Sequence, residues 1–296
     1  MGGTESWTIG RLLEWTTRYF QEHGSTSPRL DAEILLAHSL GCARIFLYTR
    51  FDEEIAEQPR AVFRELVKKR ARGVPVAYLV GYREFFSMKF AVTPAVLIPR
   101  PETEFLVVAA LEAAKNRLAT GNARSLRMCD IGTGSGVLAV CLAKHLPQAE
   151  VTAVDISRDA LEVARKNAET HGVAERIRFV ESDLLSAVEA DARFDIGVSN
   201  PPYVRESEME SLSPEVRDYE PRVALVSGPE GTEIIERLLD TLPERLKAEG
   251  EFFFEISPMI RERVEGLVQN HPRWELVRII PDLARLPRVV HARKVD

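Results

Sequence analysis

Asn200, Pro201, Pro202 and Tyr203 form a short segment that could hold a planar NH2 group. The nitrogen of such a group, in an amide or an exocyclic base amine, is a weak nucleophile because its lone pair is delocalised. The side-chain carbonyl of Asn200 and the backbone carbonyl of Pro201 could accept hydrogen bonds from both N–H groups. Because the prolines fix φ and restrict the residues before them, these acceptors would be in place before substrate arrives. With Tyr203 as a flat face, the segment suits methyl transfer to nitrogen.

The segment follows an apolar run, residues 194–199, that predicts a buried strand. Asn-Pro is also a common turn signal, so the four residues could simply end that strand. Both interpretations of residues 200–203 stay open until other motifs are considered.

A glycine-rich loop lies between a predicted strand at residues 126–131 and a predicted helix at residues 137–143. The loop consists of Gly132, Thr133, Gly134, Ser135 and Gly136. Strand, glycine turn and helix are the first half of a nucleotide-binding βαβ unit, and glycines let the backbone pass close to a ligand. The spacing G-x-G-x-G differs from the dinucleotide motif G-x-G-x-x-G, so it does not favour pyrophosphate binding. Tight strand-to-helix turns also use glycine, so the loop alone does not establish a nucleotide site.

Acidic residues follow the next two predicted strands. Asp155 ends the β-branched run 151–154, at roughly the twenty-residue offset at which a carboxylate binds ribose hydroxyls. The strand at 177–180 is followed by Asp183 and Leu184, which could flank an adenine ring, although Asp183 could equally cap a helix. In an open parallel sheet, ligands bind at the carboxyl ends of the strands, where strand order reverses. The glycine loop, both acids and Asn200 are therefore predicted to share one edge of the sheet, where a nucleoside-bearing methyl donor would lie.

Longer segments of the sequence resemble one family. The chain resembles the class I S-adenosylmethionine-dependent methyltransferases and, more closely, the release factor glutamine methyltransferases of the PrmC/HemK family. Beyond residues 200–203, the resemblance rests on residues 73–85 (GVPVAYLVGYREF), 98–104 (IPRPETE) and 219–225 (YEPRVAL). It implies an α/β fold, with a Rossmann-like methyltransferase sheet and a small N-terminal helical bundle. It also implies methyl transfer from S-adenosylmethionine to the glutamine side-chain amide in the Gly-Gly-Gln motif of peptide chain release factors.

The resemblance also implies site residues. The residues that would bind S-adenosylmethionine are Gly132, Thr133, Gly134, Ser135, Gly136, Asp155, Asp183, Leu184 and Asn200. All of residues 200–203 would hold the substrate glutamine, and Asn200, Pro201 and Tyr203 would act in catalysis.

Four positions depart from the pattern of the family. Leu184 stands where the family often has an aromatic residue, so apolar packing is expected beside the adenine in place of stacking. Ser257 replaces a glycine after Glu-Ile, Pro229 interrupts a glycine pair, and Arg285 stands where glycine is common. The last three lie outside the core motifs and concern local loop shape.

Other acceptors are compatible with residues 200–203. An adenine amino-methyltransferase acting on DNA or RNA must extract a base and bind phosphates, which the net charge of −6 and the helical first domain disfavour. A glutamine of a ribosomal protein presents the same amide, and only the flanking resemblance disfavours it. A nucleotide-binding module without catalysis would not need the paired acceptors.

Composition and patterning predict a two-domain enzyme of the cytoplasm. Residues 1–85 show helical spacing and would form a substrate-recognition domain, 86–101 a hairpin or linker, and 102–296 the catalytic domain. The basic cluster at residues 60–72 interleaves with apolar residues, which favours a solvated helix face over nucleic-acid binding. A role of this cluster in facing a release factor or the ribosome stays a hypothesis. Three cysteines without metal-ligand spacing indicate a reducing compartment, and no stretch reaches the length of a membrane span. No metal, membrane or stable nucleic-acid partner is expected.

Overall fold

The computed structural model describes residues 6–120 and 125–295. Its helices are α1 (Ile9–Glu22), α2 (Pro28–Leu40), α3 (Ile45–Thr49), α4 (Glu57–Ala71), α5 (Val76–Val80), α6 (Thr103–Ala119), α7 (Val137–His145), α8 (Arg158–Thr170), α9 (Pro214–Tyr219), α10 (Glu233–Thr241) and α11 (Arg261–Asn270). Its strands are β1 (Tyr82–Phe85), β2 (Met88–Ala91), β3 (Leu126–Ile131), β4 (Ala149–Asp155), β5 (Ile177–Glu181), β6 (Phe194–Ser199), β7 (Val204–Arg205), β8 (Val226–Gly228), β9 (Leu246–Glu255), β10 (Trp274–Pro281) and β11 (Pro287–Lys294).

The chain divides into two compact units. The first comprises Met1–Gly81 and Ser213–Tyr219, and the second comprises Tyr82–Leu212 and Glu220–Asp296. Helix α9 therefore belongs to the first unit, although more than a hundred residues separate it from α5 along the chain.

The first unit is helical. Helix α1 buries Ile9, Leu13 and Phe20 at helical spacing, and it packs against α2. The hydroxyl of Thr8 accepts a hydrogen bond from the backbone N–H of Arg11 at 3.3 Å, which caps the first turn of α1. The helical N-terminal region predicted from the sequence is confirmed.

The basic cluster on α4 is not one solvated face. Arg70 is buried, and its guanidinium donates to Asp31 at 2.8 Å and to Glu215 of α9 at 2.5 Å. The other basic residues that pair within α4 do so with Glu57 and Glu65, and these pairs are largely exposed. The prediction of a solvated face is therefore wrong for Arg70, because a buried charge needs buried partners that spacing alone does not reveal.

The second unit is built on a mixed sheet. Among the described residues, seven strands pair in the order β10-β11-β9-β6-β3-β4-β5. Strands β9, β6, β3, β4 and β5 are parallel, and β11 and β10 add antiparallel pairs at one edge. Strand order reverses between β3 and β6, as in a Rossmann-like sheet. The predicted α/β methyltransferase fold is confirmed.

Helices cover both faces of this sheet, so its strands are apolar on both sides. Along β9, Phe253 faces one core cluster, with α6 and α7, whereas Phe252 and Phe254 face the other, with α10 and α11. Strands β1 and β2 pair antiparallel and form a hairpin. The sequence predicts a hairpin or linker at residues 86–101, so β2 lies within these bounds and β1 lies ahead of them. Across residues 6–120 and 125–295, every helix is too short or too polar to serve as a membrane span.

Candidate active site

The carboxyl ends of β3, β4, β5 and β6 open into one cavity of about 230 Å3. The predicted residues that line this cavity are Gly132, Thr133, Gly134, Ser135, Asp155, Asp183, Leu184, Asn200, Pro201 and Pro202. The described lining includes neither Gly136 nor Tyr203. The topology thus brings together residues that four separate strands contribute, as expected at a point where strand order reverses.

The glycine loop is shaped by backbone conformations that favour glycine. Gly132, Gly134 and Gly136 have φ values of 75°, 55° and 81°. A Cβ added at Gly132 or Gly134 would meet no described atom within 4 Å, so the backbone here borders open space that a ligand can approach. A Cβ at Gly136 would lie 3.0 Å from the Cβ of Ala164. Gly136 therefore serves the close packing of α7 on α8.

Asp155 joins the loops that follow β3 and β4. Its Oδ2 accepts from the backbone N–H of Gly134 at 2.8 Å, and its Oδ1 accepts from that of Ser157 at 2.9 Å. Each oxygen keeps a second lone pair that can accept from a ligand hydroxyl. Burial raises the pKa of Asp155, and the backbone N–H groups oppose that shift.

Asp130, at the end of β3, is a residue that the sequence interpretation missed. It is fully buried, and its Oδ2 accepts from the hydroxyl of Thr133 at 2.6 Å and from the backbone N–H of Ala139 at 3.1 Å. Its Oδ1 has no partner among the described residues. Burial raises the pKa of Asp130 to about 7. The signal in the sequence was an acid within an apolar strand, directly before the glycine loop.

Asp183 and Leu184 lie at the side of the cavity that follows β5. Asp183 accepts from the guanidinium of Arg237 at 2.7 Å, and both side chains are about half exposed. This pairing replaces the helix cap that was one interpretation of Asp183. Arg237 was missed because it lies on α10, far along the chain. Leu184 adopts a φ of 51° and packs against a core cluster, in agreement with apolar packing at this position.

Asn200 is held by a chain of side chains. Its Nδ2 donates to the hydroxyl of Thr103 at 3.2 Å, and that hydroxyl donates to Glu255 Oε2 at 2.6 Å. The hydroxyl of Tyr203 donates to Glu255 Oε1 at 3.2 Å. Thr103 begins α6, Glu255 ends β9, and Asn200 and Tyr203 lie in the segment after β6. Side chains from three parts of the chain therefore meet here.

Glu255 is buried, which raises its pKa to about 7. Burial likewise raises the pKa of the Tyr203 phenol, whose ring packs partly against a core cluster. Sequence reasoning assigned no role to Thr103 or Glu255. Thr103 nevertheless stands in a segment that carries the family resemblance, residues 98–104, and Glu255 directly precedes the departure at Ser257.

The cavity suits a ligand that carries hydroxyl groups and an apolar or planar part. The exposed backbone of the glycine loop and the spare lone pairs of Asp155 provide the polar contacts. Leu184 and Val137 provide apolar lining. Asn200 and Pro201 stand on the other side of the reversal point, directly after β6, which pairs with the strand β3 that precedes the loop. A ligand at the loop and an amide at Asn200 can therefore be brought together.

Two family models match the chain. The PrmC N-terminal domain matches residues 11–81, and the methyltransferase small domain matches residues 108–214. Among solved structures, the catalytic domain of hMettl16, in complex with a hairpin of the MAT2A 3′UTR, aligns with a TM-score of 0.53 at 15% identity. That alignment covers 77% of this chain and 81% of the other, and it is a likeness in fold alone.

Two full-length relatives carry the same name. The release factor glutamine methyltransferase of Rhodopirellula baltica is 50% identical over 288 residues, which cover 97% of both chains. That of Koribacter versatilis is 40% identical over 287 residues, which cover 97% of this chain and 99% of its own. Identity at this level over nearly the whole length shows that the chain belongs to the release factor glutamine methyltransferase family.

Proposed function

We propose that the protein methylates the side-chain amide nitrogen of the glutamine in the Gly-Gly-Gln motif of peptide chain release factors. The observation that carries this proposal is the position of Asn200 and Pro201 in the wall of the same cavity as the glycine loop. Identity to proteins named release factor glutamine methyltransferases supports the choice of substrate.

The methyl donor is S-adenosylmethionine, and the residues that would hold it are those of the glycine loop with Asp155, Asp183, Leu184 and Asn200. Asp155 would accept from ribose hydroxyls, and Leu184 would pack against the adenine. Gly136 contributes through the start of α7 and its packing on Ala164. The bound donor supplies an electrophilic methyl group, which is the difficult part of the chemistry.

The chain itself orients the acceptor. The Oδ1 of Asn200 and the carbonyl oxygen of Pro201 accept hydrogen bonds from the two N–H groups of the glutamine amide, which aims its nitrogen at the donor. Pro201 and Pro202 fix the backbone that carries these acceptors. Tyr203 would border the planar amide. The site needs no dedicated general base, because the methylated nitrogen can release its proton to water.

The two units have separate roles in this proposal. The helical residues, predicted as 1–85, would recognise the release factor, and residues 102–296 would carry out the transfer, with 86–101 as hairpin and linker. The substrate is a protein, no stable nucleic-acid partner is required, and the reaction would take place in the cytoplasm.

The experiment uses methyl-labelled S-adenosylmethionine with, separately, a release factor, a mixture of ribosomal proteins and duplex DNA. Mass spectrometry should locate the label on the glutamine of the Gly-Gly-Gln motif. A release factor with alanine in place of that glutamine is the matched control and should stay unlabelled. Label on adenine, or on a ribosomal-protein glutamine alone, would refute the proposed substrate.

A further inference from the structure

Thr103 lies between Asn200 and a buried carboxylate. Its hydroxyl is 2.6 Å from Glu255 Oε2 and 3.2 Å from Asn200 Nδ2. Both Thr103 and Glu255 are almost fully buried, at 2% and 1% exposure, so water cannot replace either contact at low cost.

A hydroxyl has one proton, and this fact fixes the direction of both hydrogen bonds. An ionised Glu255 can only accept hydrogen bonds, so the hydroxyl of Thr103 must donate its hydrogen to the carboxylate. The Thr103 oxygen is then an acceptor, and only the NH2 end of the Asn200 amide can face it. If the Asn200 amide were flipped, its Oδ1 would face the Thr103 oxygen, and no hydrogen would lie between these two acceptors. The amide oxygen of Asn200 must therefore point to the opposite side, where it can accept from a substrate.

We propose that Thr103 and ionised Glu255 are positioning residues, which hold the Asn200 side chain with its oxygen toward the glutamine amide. The inference rests on the proposed function, because it assigns how that acceptor is oriented. Neither residue touches the reacting atoms, and both act through Asn200.

The ionisation state of Glu255 matters because a protonated carboxyl can donate. It could then donate to Thr103, whose own proton would turn to the oxygen of Asn200 and stabilise the flipped amide. The groups that face Glu255 are Glu102 and Thr103 at the start of α6, Tyr203 after β6 and Arg288 on β11. Burial is the largest influence and raises its pKa to about 7, while the hydrogen bonds and Arg288 oppose the shift. Turnover should therefore decline in mild acid.

The test compares steady-state kinetics of Thr103→Val and Thr103→Ser with a release factor as substrate. Thr103→Val keeps the shape but removes the hydroxyl, and we expect kcat to fall about 30- to 100-fold, as misoriented catalytic groups do. KM for the release factor and the affinity for S-adenosylmethionine should change less than about threefold, because the rest of the cavity is intact. Thr103→Ser retains the hydroxyl and should stay within about threefold of the wild type.

Thr232→Val is the matched control. The hydroxyl of Thr232, also fully buried in the second unit, donates to Glu236 Oε1 at 2.6 Å and has no link to Asn200. Both valine variants lose a Thr–Glu hydrogen bond, so both should lower the melting temperature. Only Thr103→Val should lower kcat. A kcat of folded Thr103→Val equal to that of Thr232→Val overturns the proposal.

The pH dependence adds an independent readout. The readout is the kcat of Glu255→Gln divided by the kcat of the wild type at the same pH. As the pH is lowered from about 8 to about 5.5, this ratio should rise toward unity, because only the wild type has a carboxylate that becomes protonated. A ratio that stays flat overturns the role of ionised Glu255. If the wild type itself fails to label the release factor, the proposed function fails instead, so the two failures are distinguishable.

Discussion

The two halves of the cavity hold their ligand-facing groups by different means. We call the part of the cavity proposed to hold the donor the donor half, and the part proposed to hold the substrate amide the acceptor half. The donor half, residues 132–136 with Asp155, Asp183 and Leu184, is shaped mainly by backbone, through glycines with positive φ and N–H groups that bind Asp155. The acceptor half, residues 200–203 with Thr103 and Glu255, is held by side chains. A site shaped by backbone tolerates substitutions that can adopt the same φ angles. A hydrogen-bonded network of side chains, in contrast, depends on the donors and acceptors of every residue in it.

A buried carboxylate supports each half, and the two differ in their partners. Both oxygens of Glu255 accept hydrogen bonds from hydroxyls, whereas Asp130 receives its hydrogen bonds at Oδ2 and its Oδ1 has no partner among the described residues. Glu255 is thus tied to the side chains of the acceptor half. Asp130 is tied to the loop itself, through Thr133 and the backbone of α7. Under the proposed function, Glu255 orients the acceptor Asn200, whereas Asp130 holds the shape of the glycine loop.

The strongest way to break this comparison is Asn200→Ala. It removes the side-chain acceptor of the acceptor half, and we expect kcat to fall about 100- to 1,000-fold, the usual cost of losing a preorganised hydrogen-bonding group. The folded state should persist, because Asn200 is only partly buried. Steady-state kinetics with a release factor, together with circular dichroism, measure both effects. Near-full activity would refute the assignment of Asn200.

Asp155→Ala should act on the other half. Loss of the carboxylate removes the proposed acceptor for ribose and also leaves the N–H groups of Gly134 and Ser157 without their partner. We expect the Kd for S-adenosylmethionine to rise about 10- to 100-fold, in line with the value of charge-assisted hydrogen bonds. At saturating donor, kcat should stay within about threefold. Calorimetric titration gives the Kd, and unchanged affinity would remove Asp155 from the donor site.

The sequence predicts a site well where its residues are close together in the chain, and poorly where they meet only in the folded structure. The residues of the donor half are local in the sequence, so the glycine spacing and the acids after successive strands predict them. Strands β3 and β6 have the predicted bounds. Strand β9 begins at Leu246, well before its apolar run at residues 252–254. In this first part its pairing with β6 shifts register and Glu249 adopts a φ of 53°. Hydrophobic periodicity does not capture such an irregular start.

The acceptor half could be predicted only in part. Residues 200–203 are contiguous and carry a pattern, but Thr103 and Glu255 reach Asn200 and Tyr203 through contacts between distant elements. Arg237 was missed for the same reason, since its partner Asp183 is 54 residues away. Spacing along a chain does not specify such partners. The roles of Asn200, Pro201 and Tyr203 stay predictions that the kinetic tests address.

Asp130→Asn should sharpen the contrast between the buried acids through stability. Burial raises the pKa of Asp130 to about 7, whereas an unfolded carboxyl titrates near about 4. The folded state therefore binds the proton more tightly, and this stabilisation is full below about pH 4 and lost as pH rises through about 7. Asparagine retains an acceptor for Thr133 and Ala139 but does not titrate.

The free energy of unfolding of Asp130→Asn, relative to the wild type, should therefore rise between about pH 5 and about pH 8. Urea denaturation at several pH values measures this difference. Because the loop keeps its hydrogen bonds, the shift should appear with little change in kcat at saturating donor. A difference that stays flat over this pH range would mean that Asp130 is already ionised in the folded protein at pH 5.

The smallest effect is expected at two residues with positive φ, one of which lies in the donor half. Arg285 (φ 62°) is exposed in the turn between β10 and β11, and Leu184 (φ 51°) lines the cavity. The left-handed conformation costs a non-glycine residue about 1–2 kcal/mol, but glycine loses about 0.5–1 kcal/mol more backbone entropy on folding. Arg285→Gly should therefore raise the free energy of unfolding by up to about 1 kcal/mol, without any change in donor affinity.

Leu184→Gly gives the same relief of backbone strain but also removes a side chain that packs against a core cluster and lines the cavity. Its stability should fall, and its Kd for S-adenosylmethionine should rise by about threefold to tenfold, as for the loss of part of a buried aliphatic side chain. Thermal denaturation and calorimetric titration of both variants separate strain from packing. Equal behaviour of the two glycine variants would mean that Leu184 contributes only its backbone conformation, and that the donor half is shaped by backbone alone.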